Sequence, residues 1–167
     1  MDIEIRKASR EDIGEIMALY EEARRFMRRM GNTTQWVNGY PQREIVEADI
    51  EAGNHYVAVR QDGAVECTFA LLFGDDPTYA HIEDGEWPDN RPYATVHRMA
   101  SSGRIPRIAD RCLDFCFTLI DTIRVDTHAD NDTMLRVMGR NGFRRCGIIY
   151  VADGTPRTAF HKTVNLT

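Results

Sequence analysis

The sequence predicts a single domain of the α+β class, and two observations lead to this prediction. Some segments repeat apolar residues at helical spacing, others alternate apolar and polar residues as strands do, and the two kinds follow one another along the chain. No linker or low-complexity stretch interrupts this succession, so we expect residues 1–167 to form one domain. With 43% hydrophobic residues, a chain of this length can bury about two-thirds of its unfolded surface.

The chain is expected to begin with a strand and a long helix. Ile3 and Ile5 alternate with charged residues, as in a half-buried strand. Ser9 and Asp12 have the spacing of a capping pair that opens a helix, and Gly31 is the residue type that ends one. The helix between them is predicted to have one apolar face, made of Ile13, Ile16, Met17, Tyr20, Ala23, Met27 and Met30.

A second helix and a hairpin are predicted next. The helix is shorter and covers about residues 44–52. Residues 55–60 and 64–73 read as two strands, and the turn between them contains Asp62 and Gly63. Glycine supplies the positive φ that such a turn needs, so we expect the two strands to form a hairpin.

The middle of the chain contains a long loop, then a strand and a helix. Residues 74–92 are dense in Asp, Gly and Pro, and they are too numerous for a simple connection. We interpret this segment as a candidate substrate loop. A strand is predicted over residues 93–100. The helix that follows is predicted from an apolar stripe made of Ile108, Cys112, Phe115, Cys116 and Leu119.

The last third of the chain has the most informative pattern. Residues 124–128 and 146–150 are predicted strands that enclose a helix over residues 131–141. Gly142 tolerates the left-handed conformation of a C-terminal helix cap, and Phe143 can then fold back onto the last helical turn. A final strand follows a turn rich in Asp, Gly and Pro. The apolar side of the helix is expected to contain Met134, Leu135, Val137 and Met138.

Charge and cysteine usage limit the class of function. A net charge of −5 argues against nucleic acid as the main partner and suits a cationic amine. No apolar run is long enough to cross a membrane, and residues 1–4 lack the regions of a signal peptide, so we expect a cytoplasmic protein without a membrane partner. The cysteines lie in apolar segments, which favours reduced core thiols and no metal site; they are Cys67, Cys112, Cys116 and Cys146.

Three segments carry a family resemblance. They are the helix that starts at Asn131 and ends at Gly142 and Phe143, the stretch 97–103, and the stretch 104–109 that leads into an apolar helix. Together they resemble the GNAT superfamily of acyl-CoA N-acetyltransferases. The predicted order of elements, β-α-α-β-β-β-α-β-α-β-β, is also the order of that superfamily. The resemblance covers nearly the whole chain, and it implies a three-layer α+β fold with a central mixed β-sheet flanked by helices.

The resemblance implies a site for acetyl-CoA as co-substrate. In the superfamily, backbone N–H groups at a helix N-terminus hold the diphosphate, and this loop corresponds here to Arg104, Arg107, Ile108 and Ala109. Arg107 stands where the first glycine of the family pattern belongs. Two interpretations stay open: Arg107 adds a cation to the diphosphate, or its side chain blocks the approach of the phosphates.

Other residues of the acyl-CoA site follow from the same resemblance. Met99 and Ala100 correspond to the bulged strand whose N–H groups face the acetyl carbonyl and pair with the pantetheine arm, and Asn131 starts the helix beside it. Relatives often have a tyrosine in that helix that protonates the CoA sulfur, but Met138 occupies the position here. Tyr150 is the nearest candidate for a replacement acid; otherwise the thiolate leaves unprotonated.

The resemblance implies direct transfer of the acetyl group to an amine, which requires a base. An alkyl ammonium with a pKa near ~10.4 is deprotonated about once in ~2,500 at pH 7, which adds roughly 4.6 kcal/mol to the barrier. Glu83 in the long loop and His97 on the strand beside the expected thioester are the candidate bases. The alternative for Glu83 is a solvated acid in a loop without a catalytic role. The alternative for His97 is a hydrogen-bonded histidine in the core.

Aromatic residues near the expected cleft are candidates for the acceptor pocket, or they anchor loops; they are Trp36, Tyr40, Tyr79 and Trp87. We expect an N-acetyltransferase that transfers the acetyl group of acetyl-CoA to a primary amine of a small-molecule or amino-acid-like acceptor. The alternative is a non-catalytic acyl-CoA sensor or interaction module with the same fold. A homodimer is left open.

Overall fold

The computed structural model describes residues 2–165, and its elements follow the predicted order. The strands are β1 Ile3–Lys7, β2 His55–Arg60, β3 Val65–Phe73, β4 Ala94–Ser101, β5 Thr122–Thr127, β6 Arg144–Tyr150 and β7 Pro156–Thr163. The helices are α1 Ile13–Arg29, α2 Arg43–Glu51, α3 Ile108–Phe117 and α4 Asp132–Arg140. The predicted α+β class with a central mixed sheet is confirmed.

The sheet has seven strands in the order β1-β2-β3-β4-β5-β7-β6. Strands β1 and β2, β2 and β3, β5 and β7, and β6 and β7 pair antiparallel. Strands β4 and β5 pair in parallel, with Ala94 opposite Ile123 and Thr95 opposite Arg124. This parallel pair makes the sheet mixed.

The chain divides into two compact units, of which the first comprises the segment up to Leu71 together with Arg98–Phe115. Its core includes the fully buried side chains of Ile16, Tyr20, Val46 and Val57. The apolar face of α1 is confirmed at its N-terminal end, where Ile13, Ile16 and Tyr20 are buried. The prediction for Met30 is wrong, because α1 ends at Arg29 and Met30 is 59% exposed.

Local signals in the first unit have the predicted effect. The backbone N–H of Ser9 donates to Asp12 Oδ2 over 2.7 Å, and a short 3-10 turn at Arg10–Asp12 leads into α1. Gly31 has φ +88° just past the helix, and Gly63 has φ +92° in the turn between β2 and β3. Both glycines therefore have the left-handed backbone conformation that the sequence predicts for them.

The second unit comprises Leu72–His97 and the segment from Cys116 onward. Its core contains Tyr79, Tyr93, Ile149 and Ala159. The prediction that Leu119 belongs to a helical stripe is wrong, because α3 ends at Phe117 and Leu119 is 46% exposed. Within residues 2–165 the four cysteines are buried thiols that form no disulfide, as predicted.

The long loop of the second unit is fixed to β6 by backbone contacts. Glu83 and Ile148 exchange two backbone hydrogen bonds, over 2.9 and 2.8 Å. Gly85 and Gly147 allow this approach, because a Cβ on Gly147 would lie 2.5 Å from the Glu83 carbonyl oxygen and a Cβ on Gly85 would overlap the Cys146 carbonyl. The loop is therefore an ordered part of the fold.

The C-terminal cap of α4 has the predicted form. Gly142 has φ +76° and donates its N–H to the Gly139 carbonyl over 3.3 Å, and Phe143 donates to the Met138 carbonyl over 3.0 Å. These two bonds define a Schellman motif. The Phe143 ring lies 5.9 Å from the Phe117 ring of α3, and its return onto the last turn of α4 stays a prediction. Over residues 2–165, no helix combines the length and apolar character that a membrane span requires.

Candidate active site

Strand β4 has an irregular backbone at Arg98. This residue has φ +54°, in the left-handed region that residues other than glycine rarely adopt. The Tyr20 hydroxyl donates to the Arg98 carbonyl over 2.6 Å. Met99 and Ala100, the residues assigned to the acetyl carbonyl by resemblance, come directly after this point. The local distortion of the strand therefore begins at Arg98.

The Arg98 side chain binds a buried carboxylate. Its Nη2 lies 2.9 Å from both oxygens of Asp49, and its Nε lies 3.1 Å from Oδ2. Burial alone would raise the pKa of Asp49, but the hydrogen bonds from His55 and Arg98 outweigh it and lower that pKa. The Asp49 carboxyl is therefore a carboxylate at neutral pH.

The same carboxylate extends into a network of buried groups. His55 is fully buried, with Nδ1 3.2 Å from Asp49 Oδ2 and Nε2 2.9 Å from Thr68 Oγ1. The Tyr20 oxygen lies 3.3 Å from His55 Nε2. Burial raises the pKa of Tyr20 well above its usual value, so this hydroxyl keeps its proton and can donate it to a carbonyl.

Two of the predicted acceptor residues belong to this first unit. The Trp36 ring meets the Tyr20 ring edge to face at 5.4 Å and the Tyr40 ring at 6.4 Å. The Tyr40 hydroxyl accepts a hydrogen bond from Arg98 Nη1 over 3.1 Å. Both side chains are partly exposed. The structure thus places Trp36 and Tyr40 beside the Arg98 network.

The second unit contains a different pair of polar groups, His97 and Asp76. His97 Nε2 lies 2.9 Å from Asp76 Oδ2, and the two side chains are 22% and 17% exposed. Asp76 Oδ1 accepts from the Thr78 backbone and hydroxyl. Burial opposes ionisation, but the hydrogen bonds from His97 and Thr78 outweigh it and lower the pKa of Asp76 to about 2. The pair is a carboxylate that orients an imidazole ring.

The other two predicted acceptor residues are packed inside the second unit. Tyr79 is 2% exposed, and its hydroxyl donates to Asp126 Oδ2 over 2.6 Å. Trp87 donates its indole N–H to the Tyr79 carbonyl over 2.9 Å. The buried Arg124 guanidinium lies 4.1 Å from the centres of both the Trp87 and Tyr93 rings. These contacts support the loop-anchoring interpretation of Tyr79 and Trp87.

Glu83 and Tyr150, predicted in separate roles, lie close together. The Glu83 carboxylate beside it raises the pKa of Tyr150. Tyr150 is 42% exposed, and Glu83 Oε2 also lies 3.8 Å from His81 Nε2. The two residues form an exposed acidic and phenolic pair on the loop and on β6.

The loop before α3 contains the residues assigned to the diphosphate. Arg107 has φ +58°, in the left-handed region that favours glycine, and its side chain is exposed. Its carbonyl accepts from Arg111, and Ile108 starts α3 as a buried residue followed by the partly buried Ala109. The loop therefore ends in a helix N-terminus, which is suited to an anion.

Arg104 has a different environment from Arg107. Its Nη2 and Nε lie 3.1 and 3.2 Å from Oε1 of the fully buried Glu66, and the Ser102 hydroxyl donates to the other Glu66 oxygen. The charge of Arg104 is therefore balanced within the protein. Arg107 is exposed, as is Arg104 with 60% of its side chain, so the two arginines differ in the Glu66 contact and not in exposure.

Two residues of α4 have structural roles here. The Asn131 side-chain oxygen accepts from the Met134 N–H over 3.1 Å and caps the helix. Met138 is 1% exposed, which confirms that it packs in the core. Across residues 2–165, no cluster of three or more His, Cys, Asp or Glu side chains is arranged to hold a metal ion.

Sequence reasoning missed the partners of these groups. Asp49, Tyr20 and Asp76 were not candidates, because their contacts with β4 join residues 21 to 78 positions apart. A weak signal was present in β2 and β3, where the polar residues His55 and Thr68 stand among mostly apolar neighbours. A polar residue that is buried in a strand requires a polar partner.

Comparisons with known proteins decide the family. An acetyltransferase of the GNAT family from Streptococcus agalactiae is 33% identical in sequence, with a TM-score of 0.90 over 98% of this chain and 96% of that one. The chain belongs to the GNAT family of acetyltransferases. GNAT membership supports acetyl transfer as the general class of reaction. No protein-family model and no curated protein matches the sequence.

More distant GNAT structures share the fold. A GNAT acetyltransferase from Listeria monocytogenes is 20% identical, with a TM-score of 0.73 over 97% of this chain and 95% of that one. An N-acetyltransferase from Staphylococcus aureus is 18% identical, with a TM-score of 0.66 over 99% of this chain and all of that one. At these identities the likeness concerns the fold alone.

Proposed function

We propose that the protein transfers the acetyl group of acetyl-CoA directly to a primary amine of a small-molecule or amino-acid-like acceptor. The observation that carries this proposal is the pairing of Asp76, in the long loop, with His97 on β4, one residue before the distorted backbone at Arg98. A base and a set of backbone donors on adjacent residues are what direct acyl transfer to an amine requires.

His97 is the base in this proposal. The Asp76 carboxylate accepts the Nε2 proton of His97, which fixes the tautomer and leaves Nδ1 to take a proton from the acceptor ammonium. That deprotonation offsets the barrier of roughly 4.6 kcal/mol that a protonated amine carries at pH 7. Glu83 is the alternative base, and its pairing with Tyr150 on an exposed surface makes it the less supported of the two.

The chemical step follows from this arrangement. The amine lone pair attacks the thioester carbonyl, a C–N bond forms, the C–S bond breaks, and the pair of electrons leaves on sulfur. The attacking nitrogen then releases its surplus proton to water, which leaves a neutral amide. The N–H groups of Met99 and Ala100 stabilise the oxyanion. Since a thiol has a pKa of roughly 8.5, its thiolate is a tolerable leaving group without an acid, and Tyr150 is the candidate donor if one is needed.

The loop before α3 fits the diphosphate of acetyl-CoA, the co-substrate that supplies the activated acetyl group. Arg107 has a left-handed backbone directly before the N–H groups that begin α3, and glycine would adopt this conformation without strain. Its exposed guanidinium adds a cation near these donors. Arg104 holds the loop through Glu66.

A non-catalytic acyl-CoA sensor is the second candidate function. It is favoured by one observation, the buried Met138 at the position where relatives often have a proton-donating tyrosine. A sensor would bind acetyl-CoA at the same loop and would not turn it over.

The test combines binding with turnover. At 100 times its dissociation constant, acetyl-CoA should stabilise the protein by about 2.7 kcal/mol in thermal unfolding. Release of free CoA in the presence of a panel of primary amines should then identify acceptors. Stabilisation without turnover of any amine would support the sensor, and the absence of both would refute the acyl-CoA site.

A further inference from the structure

We propose that Asp49 and Tyr20 are positioning residues for the acetyl transfer, which rests on the proposed function. They hold Arg98 in its left-handed backbone conformation, and this conformation directs the N–H groups of Met99 and Ala100. Neither residue touches the reacting atoms in this proposal. Their effect on the reaction passes through the backbone of β4.

The conformation of Arg98 requires an explanation. Its φ of +54° brings Cβ close to backbone atoms, which disfavours this region for any residue with a side chain. Such a conformation persists only where the surroundings impose it. At residue 98 the surroundings do so at two points, the guanidinium group and the carbonyl oxygen.

The first point is the ion pair with Asp49. Arg98 donates from Nε and Nη2 to both carboxylate oxygens over 2.9 to 3.1 Å, and both side chains are 11% exposed. A planar guanidinium bound in this two-pronged way has little freedom to turn. Tyr40 binds a further nitrogen of the group over 3.1 Å. The side chain of residue 98 is therefore fixed.

The second point is the hydrogen bond from Tyr20 to the Arg98 carbonyl, over 2.6 Å. Tyr20 is fully buried and its oxygen lies 3.3 Å from His55, which in turn lies 3.2 Å from Asp49. Asp49 therefore supports both ends of residue 98, the side chain directly and the carbonyl through His55 and Tyr20. Few conformations of a single residue satisfy both ends.

The consequence for the reaction concerns direction. Changing φ at residue 98 from positive to negative values turns the peptide units that follow, so their N–H groups point elsewhere. Donors to an oxyanion stabilise it only when they are aligned in advance. The contacts of Asp49 and Tyr20 with Arg98 form a clamp on residue 98, and loss of this clamp should therefore lower turnover. The acetyl-CoA affinity should change little, because in this proposal the loop before α3 provides most of it.

The experiment compares Asp49→Asn and Tyr20→Phe with a matched control, Asp12→Asn. Asp12 forms a comparable two-pronged pair with Arg6 in the same unit, over 2.8 and 3.0 Å, away from β4. We expect kcat to fall about 10- to 100-fold in Asp49→Asn and about 3- to 10-fold in Tyr20→Phe, with the acetyl-CoA Kd within about threefold of wild type. Asp12→Asn should lower Tm and leave kcat unchanged.

A rescue variant separates positioning from general damage. Glycine adopts positive φ without strain. In the double variant Asp49→Asn with Arg98→Gly, residue 98 can therefore keep its left-handed conformation without the contacts of the clamp. We expect the double variant to recover kcat at least threefold relative to Asp49→Asn. No recovery, or an equal loss of kcat in Asp12→Asn, would overturn the proposal.

A readout independent of activity keeps this proposal distinct from the proposed function. The φ of residue 98 can be followed by backbone NMR in Tyr20→Phe, which removes only one hydroxyl. A shift away from the left-handed region is expected. An unchanged φ in both single variants would refute the clamp even in an active enzyme, whereas a wild type that neither binds acetyl-CoA nor acetylates amines would refute only the proposed function.

Discussion

Two neighbouring residues of β4, His97 and Arg98, each bind a carboxylate, and the two pairs differ in what they can do. Arg98 is joined to Asp49 by several bonds and cannot lose its proton at accessible pH. His97 is joined to Asp76 by one bond of 2.9 Å and remains 22% exposed. The first pair fixes geometry, whereas the second orients the imidazole ring that we propose as the base.

The two carboxylates are similar, so the difference between the pairs lies in the group that each carboxylate binds. Hydrogen bonds outweigh burial in both sites, so the pKa of Asp49 is lowered and that of Asp76 falls to about 2. Both are ionised at neutral pH. One strand can therefore hold, at adjacent positions, a rigid ion pair and a pair that orients an imidazole ring.

The largest effect is expected from replacing His97, the proposed base. His97→Gln should reduce kcat by a factor on the order of 10² to 10⁴ and flatten the acidic limb of the pH–rate profile, because glutamine cannot accept the proton. Steady-state kinetics across pH measures both. Acetyl-CoA affinity, measured by calorimetry, should stay close to that of wild type.

Glu83→Gln is the matched control, since it removes the other candidate base in the same unit. We expect less than a threefold change in kcat. The reverse result, a large loss in Glu83→Gln and none in His97→Gln, would assign the proton transfer to Glu83 and reduce the Asp76–His97 pair to a structural contact.

A smaller effect is expected from the carboxylate that orients His97. The pKa of Asp76 is about 2 in the folded protein, below its ordinary value of 3.8. The ionised carboxylate therefore contributes fully to stability above pH 3.8, and this contribution is lost as pH falls through 2. The difference corresponds to roughly 2 kcal/mol. Asp76→Asn should lower the free energy of unfolding by about that amount at pH 7.

Urea unfolding at several pH values measures this contribution. The gap between wild type and Asp76→Asn should narrow from pH 4 toward pH 2. A gap of constant size would show that the loss comes from packing, and the ionised carboxylate would then have no special part in holding His97.

The smallest expected effect concerns Arg107, the second arginine with a left-handed backbone. Its φ is +58°, and unlike Arg98 its side chain is exposed. Because the guanidinium is exposed, salt screens its charge. Arg107→Ala and Arg107→Gly should each weaken acetyl-CoA binding, by about 1 kcal/mol, and both should reduce its salt dependence. Calorimetry at two salt concentrations tests this.

The glycine variant decides between the two interpretations of Arg107. It restores the family residue and relieves the backbone, so it should bind acetyl-CoA slightly better than the alanine variant. Binding tighter than wild type would mean that the native side chain obstructs the diphosphate, which would remove the charge-assisted interpretation.

Features that depend on a few neighbouring residues could be predicted from the sequence. Gly63 and Gly142 are at the turn and the cap where they were expected, because the conformational freedom of glycine is a local property. The capping pair of Ser9 and Asp12 was equally visible. The errors at Met30 and Leu119 arose because apolar spacing continues past the point where each helix ends.

The carboxylate partners could not be predicted, since each contact depends on the path of the chain. Asp49 and Arg98 are 49 positions apart, and Tyr79 and Asp126 are 47 apart. The left-handed backbone of Arg98 could not be predicted either, because tertiary contacts impose this conformation on an arginine. The sequence thus indicated His97 without the group that orients it.

The contact between Glu83 and Ile148 also affects how copies of the protein can meet. Strand β6 ends the sheet order, and the edge of a sheet is where other chains add strands and aggregation begins. At Ile148 both backbone groups already bind Glu83, and the bare backbones of Gly85 and Gly147 keep that segment in place. A second copy cannot extend the sheet at this position unless the chain's own loop first detaches.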